Sequence, residues 1–353
     1  MNAAQQKILC DDCERVVAGG HASRLEALRN GVLLVTGGTG FMGTWVSAMV
    51  AHLNDRHRFG IRLRLLSGHA SRFRQRAPHL ADRKDVELIE RDIVNVVDLP
   101  DDVTWIIHAA ADPDSRVHMS DPLGTVRVIL RGTDALLQAA ARLGNIRKIL
   151  HVSSGLIYGS QPLDLPLVRE GFAGGLDCSL PSQSYAEAKR AAETICAAYR
   201  TQTRLPIATV RPFAFLGPCQ LLDRPWAANS FIRDSLLGGP IRIHGDGESV
   251  RSYMYPADMA LWLLAMLAEA PPGSTYNLGS PVGVTLNDLA AKIVACFPHP
   301  VRIINRMLGA NAPGATRLVP DVSLAQRAFG LTSQTDLETA IRRAVKWYGA
   351  GAV

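Results

Sequence analysis

The chain has no apolar run approaching the roughly 20 residues that a membrane span requires. The longest candidate, residues 259–268 (MALWLLAMLA), has the length of a buried helix. Nothing in it reads as a secretory signal, a basic stretch followed by an apolar one, so a cytoplasmic address is expected. Cysteine is sparse, six in 353 residues, which excludes a small disulfide scaffold and predicts free thiols in a reducing compartment. Cys10 and Cys13 form a CDDC, but no second pair and no suitably spaced histidine completes a zinc set, so no metal is expected. His118 and His244 also lack partners at ligand spacing and read as surface or packed residues. There is no internal repeat and no low-complexity tract. A concentrated basic arm is missing too, because the formal charge of +6 is dispersed. Only residues 62–83 are locally basic, a stretch too short and too apolar for a nucleic-acid arm. Beside a nucleotide site, such a patch suits a phosphorylated small molecule instead.

What is present is a globular composition, 47% hydrophobic and 20% charged. The length exceeds the roughly 250 residues at which one core stops growing, so a large domain with a smaller appended one is expected. Residues 1–30 are polar and of helical character, and read as a leader ahead of the fold. At Gly31 the pattern changes: VLLV (32–35) is an apolar strand, TGGTGFMG follows, and residues 44–53 carry helical spacing. Residues 61–66, 86–89, 103–107, 147–152 and 206–210 then read as further strands. Helix-length segments such as 124–143 and 183–202 separate them. This alternation predicts an α/β, Rossmann-type doubly wound parallel sheet over residues 31–212. From residue 213 to 353 Pro and Gly become denser and elements shorten. That predicts a smaller C-terminal α/β substrate-binding domain, some segments of which return to the sheet.

In Thr36-Gly37-Gly38-Thr39-Gly40-Phe41-Met42-Gly43 the glycines fit G-x-G-x-x-G. Such a turn leaves no room for a Cβ, lets a pyrophosphate approach the backbone, and aims a helix N-terminus at it. The end of the second strand normally carries a carboxylate for the ribose of NAD; here Ser67-Gly68-His69 stand there, with Arg72 and Arg74 just beyond. NADP is therefore favoured over NAD. Tyr185-Ala186-Glu187-Ala188-Lys189 lies in a helical stretch, so Tyr185 and Lys189 share a face. A nearby ammonium moves a phenol towards ionisation, which an unperturbed tyrosine with a pKa of about 10 would not achieve at neutral pH. Ahead of it, Ser153 and Ser154 end a strand where open α/β sheets bind ligands.

These motifs, with Asp92-Ile93, His108-Ala109-Ala110, SSGLIYG, Arg211-Pro212, GDG (245–247), Arg251-Ser252-Tyr253 and YNLG (276–279), resemble the extended short-chain dehydrogenase/reductase family over residues 31–350. That family contains nucleotide-sugar epimerases, dehydratases and 4-ketoreductases. The resemblance implies that Gly37, Gly40 and Gly43 cradle the pyrophosphate with Phe41 and Met42 along it. It further implies that Asp92 and Ile93 flank the adenine, and that Ala109 and Ala110 line the dinucleotide path. Ser154, Tyr185 and Lys189 match the catalytic hydroxyl, tyrosine and lysine, Lys189 also holding the nicotinamide ribose. Arg251 matches the arginine that grips the substrate diphosphate, and Asn229 is similar in position to an asparagine that meets the same phosphate. Family members usually dimerise through the YxxxK helix and its neighbour, so a homodimer is implied.

Two departures matter. The 4,6-dehydratases place Asp and Glu after the catalytic hydroxyl, and this chain has Gly155 and Leu156, neither of which moves a proton. The Asn that often precedes Gly132-Thr133 is Ile129. The expected activity is thus an NAD(P)-dependent nucleotide-sugar 4-epimerase or 4-ketoreductase. The alternatives are a dehydratase-like enzyme with atypical acid and base, or a non-catalytic NAD(P)-binding sensor.

Overall fold

The apolar segments become parallel strands in the computed structural model, which describes residues 1–306 and 314–350. In chain order they are β1 Val32–Thr36, β2 Arg62–Ser67, β3 Val86–Glu90, β4 Trp105–His108, β5 Lys148–Val152 and β6 Ile207–Pro212. β7 (Ala214–Phe215), β8 (Ile241–His244), β9 (Val250–Met254) and β10 (Thr275–Leu278) follow. One seven-stranded sheet runs β10-β6-β5-β4-β1-β2-β3, and every pairing in it is parallel. The observed strands lie within two residues of the expected ones. β1, β4 and β5 are buried along their whole length, which is why they read as continuous apolar runs rather than alternating ones.

The chain leaves β1 towards β2 and β3, then returns to the other side at β4. That reversal opens a crevice at the carboxyl ends of β1 and β4, where such sheets take ligands. β10 arrives from the C-terminal part to extend the sheet beside β6. The remaining strands, β11 (Gly283–Thr285), β12 (Ile303–Arg306) and β13 (Arg317–Leu318), build two small sheets with β7, β8 and β9. The long apolar run lies within helix Pro256–Glu269, fully buried from Met259 to Leu267. Among the described residues, no helix is long and apolar enough to cross a membrane.

The segment expected as a leader is packed into the fold. Helix Ala3–Val17 starts on a capping box between Asn2 and Gln5 and buries Ile8, Leu9, Cys13, Val16 and Val17 in the main core. Asp12, fully buried, accepts the Tyr255 hydroxyl at 2.5 Å and pairs with Arg343 at 2.5 Å. The polar residues that suggested a leader form the solvent face of this amphipathic helix.

Candidate active site

Gly37 has a φ of +67° and lies so close to the exit of β4 that a Cβ would stand 2.6 Å from the Ala109 carbonyl oxygen. Only glycine permits both conditions. A Cβ on Gly43 would collide with the Gly38 carbonyl. Gly40 caps helix Phe41–His57 without a side-chain hydrogen bond, and the first turn holds no acidic residue. Its leading amides are therefore uncommitted to side chains, as a pyrophosphate needs. Phe41 and Met42 are half-buried at this turn. The cradle fits a dinucleotide.

Ser67 accepts from the Thr39 hydroxyl at 2.7 Å and from the His69 amide at 3.2 Å, joining the end of β2 to the glycine turn. Arg72 is exposed and has no ion pair or side-chain hydrogen bond among the described residues, whereas Arg74 is paired with Asp82. Arg76, overlooked in the sequence, reaches the Thr39 carbonyl at 2.5 Å. Asp92 is exposed and caps a short turn through the Val94 amide, while Ile93 is buried against Gly132. Ala109 and Ala110 lie half-buried where β4 ends.

At the end of β5, Ser153 is buried, and its hydroxyl has no partner among the described residues. Ser154 Oγ accepts from the Leu156 amide at 3.1 Å. Helix Ser184–Thr203 presents Tyr185 and Lys189 to this strand end, and both are buried. Lys189 Nζ donates to the Val152 carbonyl at 2.8 Å and lies 5.9 Å from the centre of the Tyr185 ring. Burial pushes the Tyr185 phenol up to about 12, opposed by a hydrogen bond with Ser154 and reinforced by the Asp112 carboxylate. Burial draws Lys189 down to about 8. The structure thus brings Ser154, Tyr185 and Lys189 together. Ile129, in place of the family's asparagine, packs against Tyr185, Ala188 and Ala192, so an apolar contact replaces a polar anchor.

His118, which its spacing reads as a surface or packed residue, is buried and stacked on Tyr185, with ring centres 4.2 Å apart and planes 11° from parallel. No local pattern announces that contact, because it joins two helices remote in sequence. Across the opening, Arg224 bridges Asp112 at 3.1 Å and Asp114 at 2.6 Å.

On the substrate side, Arg251 lies on β9, half-buried, with its guanidinium on the Val250 and Thr316 carbonyls and the Thr316 hydroxyl. Asn229 is buried, and its amide donates to the Leu221 carbonyl at 2.8 Å, which holds the turn ahead of its own helix. Gly155 is backed by Phe213, so closely that a Cβ would meet the ring at 2.9 Å. Leu156 is exposed. Among the described residues no group of His, Cys, Asp or Glu could hold a metal ion.

Residues 33–279 match the model of the NAD dependent epimerase/dehydratase family. The chain is 28% identical to UDP-glucuronic acid decarboxylase 1 of Arabidopsis thaliana over 314 residues, 89% of this chain and 68% of that protein. Its fold is similar to that of a UDP-glucuronic acid 4-epimerase from Bacillus cereus in complex with UDP-glucuronic acid and NAD. The TM-score is 0.76 at 21% identity, covering 90% of this chain and 99% of that one. It is similar as well to a dTDP-glucose 4,6-dehydratase from Streptomyces venezuelae with NAD bound, at a TM-score of 0.77 and 22% identity, covering 90% and 97%.

Proposed function

Because the chain belongs to the NAD dependent epimerase/dehydratase family, we propose that it acts on a nucleotide-diphosphate sugar, as a 4-epimerase or a 4-ketoreductase. The observation that carries this reading is the convergence of Ser154, Tyr185 and Lys189 at the end of β5, on the carboxyl edge of the sheet that also carries the glycine turn. A binding module has no use for a buried phenol with a lysine against it. Dehydration is disfavoured because Gly155 and Leu156 move no proton, and Phe213 leaves no room for a side chain at 155.

A bound nicotinamide would supply hydride chemistry at the sugar carbon, in either direction. Tyr185 takes or gives the hydroxyl proton there, and Ser154 orients the oxygen within hydrogen-bond reach. Lys189 favours the phenolate by its charge. Gly37, Gly40, Phe41, Met42 and Gly43 hold the pyrophosphate, Asp92, Ile93, Ala109 and Ala110 line the remaining path, and Lys189 also meets the nicotinamide ribose. Arg251 grips the substrate diphosphate with its planar fork, leaving Thr316 to do so, with Asn229 fixing the loop beside it. Binding energy from the remote nucleotide aligns the sugar. NADP is the favoured cofactor, since Ser67 stands where a carboxylate would repel the extra phosphate and the exposed Arg72 guanidinium has no partner among the described residues. Two copies pair across helices Pro122–Ala140 and Ser184–Thr203, a reading supported by exposed Met119, Leu123 and Val128 nearby.

The test is incubation with UDP-, dTDP-, GDP- and CDP-sugars, with and without reduced cofactor, followed by mass and carbon-configuration analysis. An epimer of unchanged mass or a reduced sugar is expected. Loss of water or carbon dioxide as the sole product would contradict the reading, and an inert panel would favour a sensor.

A further inference from the structure

We propose that His118 is a positioning residue for Tyr185, its imidazole stacked on the phenol to fix the plane in which the hydroxyl meets the sugar. The inference rests on reading Tyr185 as the acid–base group. His118 sits in helix Ser115–Ser120, which is capped by Asp114. Its Nε2 lies 2.7 Å from the Asp112 carbonyl oxygen, so Nε2 carries the proton and donates. That bond fixes the rotation of the imidazole, and the imidazole in turn faces the phenol across a 4.2 Å stack.

The segment that bears this anchor is itself braced. Arg116 forks onto the Asp114 carboxylate at 3.1 and 2.7 Å. Arg224, arriving from the substrate-side loop, ties Asp112 and Asp114 together. Tyr185 also belongs to an apolar cluster with Ile129, Ala188 and Ala192, side chains that orient nothing by direction. The polar fixing of the ring plane therefore comes from His118 and, at the hydroxyl, from Ser154. Small displacements of an acid–base group lower a rate far more than they weaken binding.

Turnover is compared for wild type, His118→Ala, His118→Phe and Tyr185→Phe on the panel sugar that the wild type converts, with melting temperature and cofactor binding followed alongside. His118→Ala should lose about tenfold to a hundredfold in kcat with an unchanged KM. His118→Phe, which keeps a ring on the phenol but loses the bond to the Asp112 carbonyl, should recover part of that loss and stay below wild type. A His118→Ala kcat within about twofold of wild type, or a loss that Phe does not lessen, overturns the inference, as does a loss that follows the melting temperature. If Tyr185→Phe keeps full turnover, or no sugar reacts with the wild type, the underlying reading of the site fails instead.

Discussion

His151→Leu should make the protein more stable, and more so in acid. His151 and His108 are opposed in register on β5 and β4, with ring centres 5.5 Å apart. His108 is satisfied: its Nδ1 lies 2.7 Å from the Thr36 hydroxyl and its Nε2 3.0 Å from that of Thr133. His151 is buried, and neither ring nitrogen has a partner among the described residues. A buried polar group without a partner costs about 1–3 kcal/mol, and leucine has a similar volume. We expect a gain of about 1 kcal/mol at pH 7 after imperfect repacking. Burial lowers His108 to about 3 and His151 well below its ordinary 6.5, so both are neutral in the fold. Between pH 6.5 and the folded value the unfolded chain binds protons that the folded chain does not, so stability falls as pH falls. Each pH unit below 6.5 over which such a histidine stays neutral removes about 1.4 kcal/mol. Urea unfolding of both proteins at pH 7 and 4.5 isolates this term, because the carboxylates are common to both. A variant less stable at pH 7, or one with the wild-type pH dependence, would refute the reasoning.

Asp12→Ala leaves the Tyr255 hydroxyl and Arg343 facing an emptied buried position. We expect a loss of about 2–4 kcal/mol by urea unfolding, somewhat softened because Arg343 reaches solvent. In the rate profile, Lys189 must keep its proton for its charge to favour the phenolate, and burial draws that ammonium down to about 8. kcat/KM should therefore fall as pH rises through about 8; Lys189→Met should abolish that limb and lower turnover at neutral pH by orders of magnitude. Arg72→Ala should raise the dissociation constant of NADP by about tenfold while leaving NAD nearly unchanged, as read by titration of cofactor fluorescence.

The parts of the fold that depend on local physics were legible in the sequence. VLLV, the glycine turn and the helix after it are specified by neighbours, and the structure puts each where the spacing predicts. Tyr185 and Lys189 share a helix face for the same reason. What tertiary packing decides was not legible. The buried stripe of helix Ala3–Val17 is outnumbered by polar residues, and its anchor Asp12 meets Tyr255 from 243 residues away. The His118 stack joins two helices that no periodicity connects. The amide of Asn229 is turned to the Leu221 carbonyl, a choice of rotamer that residue type cannot reveal.

The central claim is that this site moves hydride at a sugar carbon with Tyr185 moving the proton. A nucleotide sugar deuterated at C4 tests the epimerase form, and cofactor deuterated at the transferring carbon tests the reductase form, each with wild type and Tyr185→Phe. The account predicts deuterium exchanged between sugar and nicotinamide by the wild type, and transfer slowed by several orders of magnitude in Tyr185→Phe with cofactor binding retained. Product formed without that transfer, or transfer at the wild-type rate in Tyr185→Phe, would contradict it.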